Sequence, residues 1–276
     1  MHKVISADGT PIAYEASGEG PVVIVVGGAF NDRMTALPLA DALDGTLTVV
    51  RYDRRGRGDS GDNAAAGDGG GTITGDDRAN AAAREVEDLR ALVDAVGGTP
   101  ALYGMSSGGA LALRAAADGV PVSRIALYEV PFVPDDRSAQ ARETAEAVSA
   151  LLAEGRRADA VVAFMSGIGM PPEMAEGMRH APMFPALEAI AHTLDHDAAA
   201  MGAFTAGSVI PEDVARAVRV PTLAIFGEAS PPWTAETARR LAALVPDGRV
   251  ASLPGQSHDV APEALAPVLA EFVRAR

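Results

Sequence analysis

The chain of 276 residues contains no cysteine. That excludes a disulfide framework, any cysteine-ligated zinc site and every thiol nucleophile, so a nucleophile here must be oxygen or nitrogen. Only five histidines are present, scattered and without a His-Glu-x-x-His pair, which gives a metal enzyme little support. Positive charge is scarce as well: 23 Lys and Arg stand against 37 Asp and Glu, for a formal net charge of −14. A nucleic-acid partner needs a concentrated basic surface, so none is expected. The one basic run, Arg51 to Arg57, falls in what reads as a post-strand loop and is taken as solvated or structural. No stretch approaches the roughly twenty apolar residues of a membrane span, and the first residues lack the apolar core of a secretory signal. The expectation is a soluble, cytoplasmic protein with a small-molecule substrate and no membrane partner. Its oligomeric state is left open.

What is there is ordinary for a globular protein: 48% apolar and 22% charged residues, in a chain long enough to bury a substantial core. Short apolar runs alternate with helical periodicity, which predicts an α/β fold with a mostly parallel sheet flanked by helices. Strands are expected at residues 12–16, 22–26, 48–52, 100–103, 123–128, 222–226 and 249–253, and helices at 34–43, 78–96, 107–117, 234–245 and 262–274. Within 78–96, Val86, Leu89, Leu92, Val93 and Val96 form one apolar stripe. Two segments break the rhythm. Residues 61–77 are rich in Gly, Ala and Asp and read as an irregular surface loop. Residues 132–207 show helical patterns without strands and read as an inserted helical lid, leaving 1–131 and 208–276 as the core. Met165, Met170, Met174, Met178, Met183 and Met201 fall in this insertion, with Phe164, Phe184 and Phe204. Adaptable thioether side chains suit either an apolar pocket of tolerant shape or the packing of the lid itself.

Residues 104–108 read Gly-Met-Ser-Ser-Gly, between an apolar run and an alanine-rich helix. A chain that turns from strand to helix this sharply strains its central residue and leaves room only for glycine two positions to either side. That register selects Ser106, flanked by Gly104 and Gly108, over Ser107, and the following helix points its N-terminal amides at the same place. Such a serine needs a base. In a parallel sheet the strand ends share one edge, so the partner should follow a late strand. Leu253-Pro-Gly-Gln-Ser-His258 supplies it, with imidazole able to take and return a proton near neutral pH.

The segments Val22-Val-Ile-Val-Val-Gly-Gly-Ala29, Tyr52-Asp-Arg-Arg-Gly-Arg-Gly-Asp-Ser60, Gly104–Gly108 and Gly255-Gln-Ser-His258 together resemble the α/β-hydrolase superfamily over essentially the full chain. The resemblance implies an oxyanion hole made by the backbone N–H groups of Ala29 and Ser107, where Gly27-Gly28 replaces the more usual His-Gly. It places Phe30 near a pocket floor, with Phe132, Met165, Met170 and Trp233 as further pocket candidates. Asp53, Arg54 and Gly56 are expected to hold a tight turn. The acid of the triad departs from the pattern, because Gly227-Glu-Ala-Ser230 puts a serine where a carboxylate is usual. Some relatives carry the acid after the preceding core strand, which favours Glu129; Glu228 is the alternative, and a missing acid remains open. Asp259 is expected to fix its loop. The activity implied is a cofactor-free and metal-free serine hydrolase acting on an ester, thioester or lactone with an apolar acyl part. Perhydrolysis of the haloperoxidase type and C–C bond hydrolysis would use the same triad, and a binding-only member of the fold is the reading outside catalysis.

Overall fold

The computed structural model describes residues 1–63 and 76–275. Among the described residues, eight strands form one sheet: β1 (His2–Ile5), β2 (Pro11–Ser17), β3 (Val22–Val26), β4 (Thr48–Tyr52), β5 (Ala101–Met105), β6 (Ile125–Tyr128), β7 (Thr222–Gly227) and β8 (Gly248–Leu253). Their order is β1-β2-β4-β3-β5-β6-β7-β8. The first two pairings, β1 with β2 and β2 with β4, are antiparallel, and every other pairing is parallel. This is the mostly parallel α/β sheet expected. β1 has no counterpart among the predicted strands, because only one of its four residues is even partly buried and it carries no apolar alternation.

The flanking helices that the periodicity predicts are α1 (Leu37–Ala42), α2 (Asp76–Val96) and α3 (Ser107–Ala117) in the first half. The sheet is covered on both faces because its strands alternate. Ile24 and Val26 of β3 pack with Val86, Leu89, Leu92 and Val93 of α2 and the alanine-rich side of α3. Val23 and Val25 face the other way, onto Leu39 of α1 and the C-terminal helix. β3, Val-Val-Ile-Val-Val, is thus apolar at every position, as suits a strand buried on both faces. Residues 64–75 of the expected 61–77 loop lie outside the described residues, and 76–77 already belong to α2.

Between β6 and β7 the chain is helical, with no strand: α4 (Ser138–Ala153), α5 (Arg157–Gly167), α6 (Pro172–Gly177), α7 (Phe184–Ile190), α8 (Leu194–Ala200) and α9 (Ala203–Ala206), joined by three short 3₁₀ turns. The core then resumes through α10 (Glu212–Ala217), α11 (Pro232–Leu244) and α12 (Pro262–Arg274). Val148, Leu152, Val161, Phe184, Leu187 and Leu194 make a separate apolar cluster among these helices, and Ala29 and Phe30 from the loop after β3 pack against it.

One topological fact positions the site. β3 lies between β4 and β5, so the chain leaves β3 in one direction and later returns on its other side. The loops that follow β3 and β5 diverge there, opening a crevice at the carboxyl edge of the sheet.

Candidate active site

Ser106 stands in that crevice with φ 55° and ψ −129°, immediately before the first residue of α3. A non-glycine residue in this region is strained and persists only where its surroundings over-determine it. They do so here. A Cβ on Gly104 would come within 2.5 Å of the Gly108 carbonyl oxygen, and one on Gly108 would collide with the Val26 carbonyl oxygen. The Ser106 amide donates to the Tyr128 carbonyl at 3.0 Å, which ties the turn to β6. Among the described residues only Phe30, Ser106, Glu129 and Ser208 share positive φ without being glycine. Ser106 and Glu129 directly follow β5 and β6, and Phe30 lies four residues past the end of β3, so the backbone strain collects at one edge.

Glu129 is buried at 5% exposure, and its carboxylate has three neighbours. Oε1 accepts the Gly227 amide at 2.9 Å, and Oε2 lies 3.0 Å from Nδ1 of His258. The Ser230 hydroxyl makes no hydrogen bond of good geometry, yet it stands near enough to the same group to favour its charge. Burial alone pushes the Glu129 carboxyl up; the His258 and Ser230 contacts and the Gly227 amide outweigh it and hold the group below its usual value. The position where the family's acid is usual is thus filled by a serine that faces the carboxylate of Glu129.

His258 lies in the loop after β8, its side chain half exposed at 53%. With Nδ1–H donated to Glu129, Nε2 is left as the free basic nitrogen. No hydrogen bond joins Ser106 Oγ to His258 in this structure. Their segments nevertheless meet: Tyr128 accepts the Ser106 amide through its carbonyl, and its hydroxyl donates to the Ser257 carbonyl at 2.5 Å. Met105 and Asp259, the neighbours of the two residues, line one cavity. Catalytic hydrogen bonds are often long in unliganded sites and tighten when substrate binds.

The amides of Ala29 and Ser107 donate no hydrogen bond among the described residues, and Ser107 heads the 11-residue helix α3, where orphan N–H groups and the positive end of the dipole coincide. Gly28 is the residue that lets this loop approach the serine, since a Cβ there would sit 2.9 Å from the Ser106 Cβ. No group of three or more His, Asp or Glu side chains among the described residues is arranged to hold a metal ion.

A model of the alpha/beta hydrolase family matches residues 22–271. The chain belongs to that family. It is similar to an alpha/beta hydrolase from Sphaerobacter thermophilus, at 44% identity and TM-score 0.83, over 98% of this chain and 99% of that one. A thermophilic esterase from Thermogutta terrifontis is 23% identical at TM-score 0.65, covering 99% and 96% of the two chains. A bromoperoxidase from Bacillus anthracis is 18% identical at TM-score 0.70, covering 99% and 100%. The last two likenesses carry the fold of this hydrolase family and no more.

Several expected site residues stand elsewhere. Phe132 is 1% exposed inside the main core cluster, where its ring packs the fold. Met165 is half-buried on α5 against the same cluster as Ala29 and Phe30, whose ring meets Phe164 edge-on at 5.5 Å. Met170, half-buried, donates its amide to the Met165 carbonyl and closes α5. Trp233 is half-buried in the first turn of α11. Met174 and Met183 face solvent while Met201 is core, so the methionines do not form one pocket. Glu228 is exposed and accepts from Ser252 Oγ at 2.7 Å. The loop before α12 is fixed by Gln256, which accepts the Ala261 amide, and not by Asp259.

Two features escaped the sequence. A cavity of about 320 Å³ opens between α1 and α12, lined by Val25, Ala36, Leu39, Tyr103, Met105 and Leu265 among others, with none of the expected pocket residues in its wall. The other is the depth of the basic run, whose burial fits its structural reading and not its solvated one: Arg54, Arg55 and Arg57 are buried to 2% exposure or less. Arg55 forks onto Asp88, and Arg54 forks onto Glu85. Asp53 holds the turn as expected, accepting the amides of Arg33 and Asp59. Asp197 of α8 joins Arg54 and Arg57. Three arginines within four residues signal a need for buried acids, but which ones is a matter of tertiary structure.

Proposed function

We propose that the protein is a serine hydrolase that cleaves an ester, thioester or lactone of a small apolar acyl group. Ser106 Oγ attacks the carbonyl carbon while Nε2 of His258 takes the hydroxyl proton. Glu129 keeps the ring in the tautomer with Nδ1 protonated and stabilises the imidazolium that forms. The carbonyl oxygen, now an oxyanion, is received by the amides of Ala29 and Ser107. Collapse expels the alcohol or thiol, which takes its proton from Nε2, and leaves an acyl group on Ser106. Water, deprotonated by His258, then attacks the acyl-enzyme and releases the acid.

The observation that carries this reading is the pairing of a strained Ser106 with a buried Glu129 that grips His258 Nδ1. The same contact favours catalysis over a binding-only role, whose support was the serine at position 230. The helical segment 132–207 would act as a lid: its apolar cluster already holds Ala29 and Phe30. The apolar part of the substrate fits the cavity beside Met105, where Val25, Ala36, Leu39, Val260 and Leu265 offer apolar wall and Asp32, Arg33 and Asp259 supply charge.

The test is hydrolysis of p-nitrophenyl esters from acetate to octanoate by the wild type and by Ser106→Ala. Turnover of at least one ester, lost in the variant, supports the proposal. Absence of turnover across the series, or activity retained by Ser106→Ala, refutes it.

A further inference from the structure

The candidate oxyanion-hole donor Ala29 N–H belongs to the same planar peptide as the Gly28 carbonyl, and that carbonyl oxygen is held by Arg57 Nη1 at 2.6 Å. In a trans peptide the C=O and N–H vectors point in opposite directions. A cation fixed on the oxygen therefore aims the N–H the other way and polarises it into a stronger donor. Arg57 is itself immobilised. Its Nη2 meets Asp197 Oδ2 at 2.7 Å, its Nε donates to Thr193 Oγ1 at 3.1 Å, and Nη1 also reaches the Asn31 carbonyl at 3.2 Å.

Asp197 grips the other arm at the same time. Its Oδ1 accepts the Ser107 hydroxyl at 2.6 Å and Arg54 Nη1 at 2.6 Å, and Arg54 Nη1 lies 3.2 Å from the Gly27 carbonyl oxygen. One carboxylate from α8 thus ties the loop after β3 to the first residue of α3, and Arg54 Nη1, which also lies 3.5 Å from Ser107 Oγ, bridges the same two elements beside it. Burial pushes the Asp197 carboxyl up, but Arg57, Arg54 and the Ser107 hydroxyl outweigh it and hold it below its usual value.

We propose that Arg57, anchored by Asp197, is a positioning residue that aims and polarises the Gly28–Ala29 peptide, and that Asp197 sets the gap between the two oxyanion-hole amides. The inference rests on the serine-hydrolase reading above. It gives the helical segment a part in transition-state stabilisation, because Asp197 comes from α8 and the amides come from the core.

The test compares wild type, Arg57→Lys, Arg57→Met and Ser107→Ala, each checked for folding by thermal midpoint and near-UV circular dichroism. Ser107→Ala removes one hydroxyl and leaves every charge paired, so it keeps the fold if the Arg57 variants do not. The readouts are the second-order rate of Ser106 phosphonylation by a fluorophosphonate, and kcat and KM on a p-nitrophenyl ester. Removing an oxyanion donor outright costs about 100- to 1000-fold, so mis-aiming one should cost about tenfold to a hundredfold in both rates. KM should stay within about twofold, because the interaction strengthens only in the transition state. A merely structural role would lower the thermal midpoint without that split. Folded variants that react at the wild-type rate overturn the inference alone, whereas a wild type that is not phosphonylated at Ser106 removes the hydrolase reading and the inference together.

Discussion

His258 Nδ1 stands 3.0 Å from Glu129 Oε2, although the two residues are 129 positions apart in the chain. The contact forms because β6 and β8 flank β7 and their loops fold back over its end, where Glu129 also receives the Gly227 amide. A buried acid, an exposed ring and a strained hydroxyl then lie along one sheet edge.

Replacing that acid by an isostere without charge should remove the orientation and stabilisation of the imidazolium. Glu129→Gln is expected to lower kcat by about 10³- to 10⁴-fold on a p-nitrophenyl ester. Glu228→Gln, at an exposed position, should leave kcat within about twofold. Steady-state kinetics of the two variants decide the matter, and the reverse ranking would transfer the role to Glu228.

Gly28→Ala places a methyl group 2.9 Å from the Ser106 Cβ and 3.1 Å from the Met105 carbonyl oxygen. The neighbour cannot yield, because it is the elbow itself. The expected outcome is a loss of about 1–3 kcal/mol of stability from overpacking and a fall in kcat of about tenfold or more from the displaced serine. Thermal melts and kinetics measured together test both parts.

Asp195 gives a pH signature of stability unrelated to turnover. Burial pushes its carboxyl from 3.8 up to about 6, against the opposing hydrogen bond from Ser149 and the charge of Arg78; Ser149 Oγ donates to Oδ2 at 2.9 Å, while Oδ1 has no partner. Since the folded-state value lies above the unfolded one, the folded chain binds more protons between about pH 4 and 6. The ionised group therefore lowers stability once the pH rises past 6, and this cost disappears below 4. Asp195→Asn should raise stability at pH 8 by up to roughly 3 kcal/mol and have no such effect at pH 4. Denaturant unfolding at the two pH values checks the sign.

The cavity between α1 and α12 makes a prediction about substrate length. Ala36 is half-buried at its wall, and Ala36→Phe would fill part of the space. The ratio of hexanoate to acetate turnover should fall by about tenfold, the scale of one or two lost methylene contacts. An unchanged ratio would place the acyl chain instead beside Phe30 and Met165.

Much of this fold was legible because burial on both faces writes itself into strand composition. The runs at 22–26 and 48–52, and the helices at 107–117 and 262–274, begin and end where periodicity put them. β1 was not legible: an exposed edge strand needs no apolar pattern, only the turn at Asp8-Gly9 that pairs it with β2. Ser106 and His258 could be chosen because a parallel sheet brings its strand ends to one edge, whereas the preference for Glu129 over Glu228 rested on the resemblance to relatives that carry the acid after the preceding strand. Pocket walls could not, since Phe132 and Met174 read alike in sequence while one is core and the other faces solvent. Asp197 was invisible for a related reason, as an acid on a short helix gives no sign of the arginines it will meet.

The most direct measurement is the site and stoichiometry of fluorophosphonate modification, read by intact mass and peptide mapping. One adduct per chain on Ser106, abolished by Ser106→Ala and strongly slowed by Glu129→Gln, is the expected result. An unmodified protein, or an adduct that persists in Ser106→Ala, would contradict the assignment of Ser106 as an activated nucleophile.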